Sequence, residues 1–260
     1  MAQLLTKLSG GELTGFILVL ARVAPLFVVA PLFSSKILPS RVKVVAACGI
    51  SIGLTPLALR GQHIPSGALP LAELVLAGML TGFGFAFAVA VMFAVVESAG
   101  SFIDYGSGLS FGSMINPASA SGEGGPFSQL HGIVGMLIFL AIGGDAWMLR
   151  GITRTFQLVP LTSFPRLTSL VGGSVHVFSS VFGAALELAA PVLIALFVTD
   201  AAFGVVSRVV PQMNVFAVGF PAKIAVAIVL TTATLPFFAG WINEQLSLSV
   251  GAALGALHAV

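Results

Sequence analysis

The sequence predicts an all-α integral membrane protein, and three observations carry that prediction. Of 260 residues, 57% are hydrophobic and 8% are charged, with a mean hydropathy of +1.09. A soluble domain carries about 25% charged residues, so this chain has too little charge to clothe a globular surface. The apolar residues gather into about six runs, most of them near the ~20 residues a helix needs to cross a bilayer core. No strand-length alternation of apolar and polar residues recurs, which argues against a membrane barrel.

The first run, Leu13–Phe33, carries Arg22, Pro25 and Pro31. It is longer than a signal h-region of about 7–15 residues, so it is expected to insert as a span and not to be cleaved. Val44–Leu59 is short for a span, and Leu74–Val96 is free of charge. Pro126–Ile142 contains His131. Ser174–Val198 carries Glu187 and Pro191 and can continue to Val206 past Asp200. Ile224–Gly240 leads into a mildly apolar tail ending at Val260.

Lysines and arginines cluster on cytoplasmic loops and normally orient such spans. Here Lys36, Arg41 and Lys43 follow the first run, while Arg150, Arg154 and Arg166 follow the fourth. Simple alternation puts these loops on opposite sides. Lys7 and Arg60 join one side, Arg208 and Lys223 the other, so the count gives no orientation. Either one run fails to cross, or the helices belong to an assembly that is not a conventional spanning bundle. The net charge of +2 is spread thinly, with no basic run for nucleic acid or an anionic lipid head group. A lone cysteine, Cys48, excludes an intramolecular disulfide and reads as a small buried apolar residue.

Three pairs of glycines stand at helical spacing: Gly78 with Gly82, Gly108 with Gly112, and Gly251 with Gly255. Each allows close helix approach, either within the chain or onto helices of another subunit. Arg22, Glu187 and Asp200 lie inside or at the edge of apolar runs, where a charge costs about 2.5–3.5 kcal/mol by insertion scales. They are expected to face protein or water, as a buried pair, a snorkelling side chain, a polar lining or a contact between subunits.

The stretch Glu97–Gly125 holds seven glycines and seven serines, with apolar residues spaced among them. Glycine allows tight bends and serine bonds locally, while the apolar residues want burial. It reads as a loop folded back into a protein-lined cavity, where irregular backbone is tolerated at membrane depth. Glu97 and Asp104, seven apart, share one face if their segment is helical. Gly108-Leu109-Ser110-Phe111-Gly112 matches the G-x-S-x-G pattern of a hydrolase nucleophile, with His131 and Asp145 as conceivable partners. No strand precedes it and no α/β alternation surrounds it, so the pattern reads as a chance match. No phosphate loop, dinucleotide fingerprint or Cys/His cluster is present, and neither an enzyme nor a cofactor is expected. Arg208–Lys223 places Pro211 and Pro221 around Gln212, Asn214 and Gly219. Proline interrupts the helical ladder, and Asn and Gln can satisfy freed backbone groups. The segment is either a tight hairpin turn or a polar interruption facing a pore or partner.

These residues resemble the FliR/SctT family of type III export gate proteins. The likeness rests on Pro31-Leu-Phe-Ser-Ser35 with Pro39 and Arg41, on Asn116-Pro117, on Gly144-Asp145 and on Phe156-Gln-Leu-Val-Pro160. Its strongest part is Pro211-Gln-Met-Asn-Val-Phe216 followed by Gly219-Phe-Pro221 and Lys223. It covers nearly the whole chain; Asp145 departs from a histidine carried by many flagellar members. Gly-Phe-Pro at 219–221 favours the flagellar branch over the injectisome branch.

The resemblance implies a single membrane domain, FliP-like over about 1–170 and FliQ-like over about 171–260. It implies assembly with FliP and FliQ into the core of an export channel in the bacterial inner membrane at the flagellar basal body. FlhB surrounds that core and FlhA feeds it with unfolded flagellar proteins. It implies a pore plug between about Gly106 and Gly122, taking in Gly106, Gly108, Leu109, Phe111, Gly112, Met114, Ile115, Asn116 and Pro117. A pore- or partner-facing helix break is expected at Pro211, Gln212, Asn214, Phe216, Gly219, Phe220, Pro221 and Lys223. The reading from another class is a small secondary transporter, which needs a midplane site built from broken helices. Pro25 and Pro31 against Pro191 and Pro211 offer only a faint echo of such a repeat.

Overall fold

A computed structural model describes residues 10–34, 38–62, 64–65, 67–110 and 124–258. Among the described residues there are nine helices and no strand. They are α1 (Gly10–Val29), α2 (Pro31–Ser34), α3 (Ser40–Ala58), α4 (Ala68–Ser107), α5 (Pro126–Ala141), α6 (Gly144–Leu158), α7 (Leu167–Ser179), α8 (Val181–Val209) and α9 (Val215–His258). Five stretches are long and apolar enough to cross a membrane, or up to six if the broken pair α5 and α6 is one span. The chain is an all-α integral membrane protein, and each apolar run of the sequence falls on one of these stretches.

Two helices outrun expectation. Helix α4 continues to Ser107, so the first part of the glycine- and serine-rich stretch is helix and not loop. Mid-helix glycine costs about 1 kcal/mol against alanine. Here Val95, Ala99 and Ile103 on one face are buried in a shared core, and that burial outweighs the local preference. Helix α9 extends over both the mildly apolar tail and the segment expected as a helix break. Pro221 and Pro236 lie inside it without ending it, as proline does in apolar helices whose freed carbonyls find other partners. The break is therefore confined to Val210–Asn214. Phe216, Gly219, Phe220, Pro221 and Lys223 belong to α9.

The described residues form two compact units. One lies within Met1–Val91, Gly143–Ser179 and Leu246–Val260, the other within Met92–Ile142 and Ser180–Gln245. In the first unit α1 packs on α3 and on the first half of α4. A methyl on Gly78 would lie 3.4 Å from the carbonyl oxygen of Leu18, and one on Gly82 would overlap the carbonyl of Arg22. That glycine pair is internal packing. Gly151 of α6 accommodates the ring of Phe85 in the same way.

In the second unit the buried face of α4 meets Phe127 of α5, Ala185 and Ala189 of α8, and Ala227 of α9. Phe93 and Phe139 meet edge to face at 5.2 Å, and Phe102 and Phe182 at 5.3 Å. Gly251 and Gly255 have open space where a side chain would stand. Gly112 lies outside the described residues. Cys48 is half-buried, not buried, on α3.

Candidate functional site

The second unit builds the base of the glycine- and serine-rich segment. Helix α5 begins at Pro126, preceded by Gly125, so it has no side chain of its own to cap its first amides. Asp104, buried near the end of α4, supplies the acceptors: its carboxylate takes the amide of Phe127 at 3.0 Å and that of Ser128 at 2.9 Å. A carboxylate there satisfies two of the orphan donors of a helix start and sits at the positive end of its dipole.

The approach needs glycine on both sides. A methyl on Gly100 would lie 2.5 Å from the carbonyl oxygen of Phe127, and one on Gly125 would overlap the Asp104 carboxylate. Two turns earlier on α4 the carbonyl of Glu97 accepts the Ser128 hydroxyl at 3.0 Å. The Glu97 side chain lies against Gly132 of α5, so Glu97 and Asp104 both face that helix, as their spacing requires.

Gly108 leaves α4 with φ +88°, and Gly124 re-enters with φ +31°, both in the left-handed region. Gly106, expected as the start of the plug segment, belongs to α4. It lies in the last turn of α4, where a methyl would come within 3.1 Å of Leu193 and Leu196, so it serves packing and not loop bending. Leu109 packs on the core of this unit. Phe111, Gly112, Met114, Ile115, Asn116 and Pro117 lie outside the described residues.

The hydrolase pattern loses its context. A helix and not a strand leads into Gly108. The Nδ1 of His131 lies 2.8 Å from the carbonyl oxygen of Phe127 in its own helix, and its ring stands edge-on to Phe238 at 5.6 Å. Asp145 is exposed on α6.

Of the three intramembrane charges, Arg22 is the most enclosed, at 1% exposure in the first unit. Its Nη1 donates to the carbonyls of Thr155 at 3.1 Å and Val159 at 2.6 Å, and its guanidinium lies 4.7 Å over the ring of Phe156. It is the cationic cap of the C-terminus of α6, where the dipole is negative. Asp200 of α8 pairs with Lys223 of α9 at 2.9 Å, joining the two helices across their turn. Asn214 closes that turn: its Oδ1 accepts the Ala217 amide at 3.2 Å and caps α9, while Pro211 and Gln212 are exposed. Glu187 is exposed on α8 with no ion-pair or hydrogen-bond partner among the described residues.

Sequence reasoning singled out Arg22 but not its role, and it missed Asp104 as a cap. The available signal was negative: Gly125-Pro126 opens a helix with no Ser, Thr, Asp or Asn beside it, so an acceptor must come from afar. Among the described residues no group of three His, Cys, Asp or Glu side chains is placed to share a metal ion.

A family model described as bacterial export proteins, family 1, matches residues 13–249. The chain is 29% identical over 228 residues to the flagellar biosynthetic protein FliR of Escherichia coli (strain K12), covering 88% of this chain and 87% of that one. It is 31% identical over 225 residues to the flagellar biosynthetic protein FliR of Bacillus subtilis (strain 168), covering 83% of each. It is 28% identical over 218 residues to the Yop proteins translocation protein T of Yersinia pestis, again covering 83% of each.

Proposed function

We propose that this chain, which belongs to family 1 of the bacterial export proteins, is a subunit of the flagellar type III protein export gate. The family match over residues 13–249 carries the proposal. The long helices add physical support. Within an apolar 18-residue stretch of each span, 22% is buried within the chain for Leu167–Val209 and 17% for Val215–Gly255, against 61% for Ala68–Ser107. Helices so bare, holding a Glu187 that has no partner among the described residues and a polar turn at Pro211–Asn214, suit burial by neighbouring subunits.

In this reading the neighbours are FliP and FliQ, the FliP-like part being about 1–170 and the FliQ-like part about 171–260. FlhB surrounds the core, FlhA feeds it, and the site of action is the bacterial inner membrane at the flagellar basal body. The subunit passes unfolded flagellar proteins through a pore without catalytic turnover.

The mechanism proposed is steric. Phe111, Met114 and Ile115 fill the closed lumen, while the segment swings between Gly108 and Gly124. The bonds of Asp104 to α5 hold its base shut, so the plug moves without unravelling the helices that carry it. Replacing Phe111, Met114 and Ile115 together by serine should make the assembled gate leak ions in proteoliposomes. Unchanged permeability would remove the plug from the proposal. Failure to co-purify with FliP and FliQ would remove the gate itself.

The Yersinia relative supports a second reading, the equivalent subunit of a virulence injectisome. Restored swimming of a flagellar-gate deletion strain by this chain decides for the flagellar branch.

A further inference from the structure

We propose that the outer face of α6 binds the head group of an anionic phospholipid, with Arg150 and Arg154 as the phosphate-binding residues. Helix α6 is unlike the apolar helices around it. Its inner face buries Met148, Ile152, Thr155 and Phe156, while Arg150, Arg154 and Gln157 are exposed on the other. Four residues apart, the two arginines are neighbours on the helix surface. With Leu149, Thr153 and Gln157 they line an open groove of about 360 Å³. A scan along the chain misses this grouping because only the helical period brings the charges together.

Neither guanidinium has an ion-pair or hydrogen-bond partner among the described residues, so the groove presents two unneutralised cations. The one acid on the helix, Asp145, lies about 140° around the axis from Arg150 and about 180° from Arg154, and does not face them. A phosphate near a helix C-terminus is ordinarily repelled by the dipole. Here Arg22, a buried cation, already occupies that end through Thr155 and Val159 and answers the objection.

Two features favour a lipid over other anions. Planar guanidinium forks match phosphate oxygens with paired donors. Trp147, 38% exposed and one turn before Arg150, supplies the amphipathic ring that settles at the head-group level of a bilayer. Amphipathic helices with basic polar faces lie in that interface and are drawn to anionic lipids. The proposal stands apart from the export reading and needs none of its partners.

The test uses the full-length chain in detergent, titrated with phosphatidylglycerol or phosphatidylcholine, with bound lipids counted by native mass spectrometry. Phosphatidylglycerol should be retained in preference, and R150Q/R154Q should bind it at least about tenfold more weakly through the lost charged hydrogen bonds. R150K/R154K should recover part of the binding, since charge returns without the fork. R208Q, an exposed arginine on α8, should leave binding unchanged and checks that net charge is not the cause. No preference between the two lipids, equal loss in R208Q, or undiminished binding in R150Q/R154Q with unchanged helix content overturns the proposal.

Discussion

The carboxylate of Asp104 accepts the amide of Ser128 at 2.9 Å across 24 residues of chain, so a residue in the last turns of α4 caps the helix that follows the connecting segment. The segment's two ends are thereby fixed by a single side chain. Asp104→Ala leaves two buried amides without an acceptor, at about 1–3 kcal/mol for each unsatisfied group. Asp104→Asn keeps one acceptor and loses the charge–dipole term of about 0.3–1 kcal/mol, more where buried. Thermal unfolding should rank wild type above Asn and Asn above Ala. Limited proteolysis within 108–125 should quicken in the same order. Equal midpoints for all three would show that the cap contributes nothing.

Arg22 performs the opposite task at the end of α6, and its replacement separates charge from shape. Arg22→Met fills similar volume but strands the carbonyl of Val159, while that of Thr155 keeps the Val159 amide at 2.9 Å. The expected loss is about 1–3 kcal/mol for the orphaned acceptor. Arg22→Lys retains a cation but not the planar group over Phe156, and should fall between. The measurement is a melting curve in detergent, and a Met variant as stable as wild type would deny the cap its role.

The class of fold was legible because hydropathy over twenty-residue windows reports on lipid, and each apolar run falls on a helical stretch. Helix ends were not legible, for a physical reason. Ser107 marks where α4 stops, yet Ala99 and Ile103, which carry it so far, are held by tertiary burial and not by local preference. Asp104 and Arg22 show the same limit for the site. A charge in an apolar run announces itself, but its partner is a backbone group 23 to 137 residues distant. Backbone acceptors and donors carry no sequence signature. Arg150 and Arg154 became a pair only once α6 was known to be helical.

Gly82 and Gly255 give opposed outcomes for the same change. At Gly82 a methyl would strike the backbone of Arg22, which cannot move aside as a flexible side chain can. Gly82→Ala should separate α1 from α4 and lower the melting point by several degrees, a loss of about 1–3 kcal/mol from overpacking. At Gly255 nothing stands within 4 Å, so Gly255→Ala should stabilise the isolated chain by up to about 1 kcal/mol through helix propensity. If the open Gly251/Gly255 face docks on another subunit, the same variant should impair assembly while melting higher alone.

Asp200 and Lys223 test whether the α8–α9 hairpin works in water or against an apolar neighbour. An exposed ion pair in water contributes about 0–1 kcal/mol. At 2.9 Å, on helices otherwise lined with apolar residues, the pair should couple more strongly once subunits exclude water. Asp200→Asn and Lys223→Met each leave one unpaired charge on that surface, whereas the double variant leaves none. A double-mutant cycle on assembly yield should therefore show the double variant recovering most of what either single change loses, with coupling of about 0.5–3 kcal/mol. The exchanged pair, Asp200→Lys with Lys223→Asp, should also assemble. Additive losses in the cycle would place this pair in water after assembly, and with it the face of the hairpin that carries it.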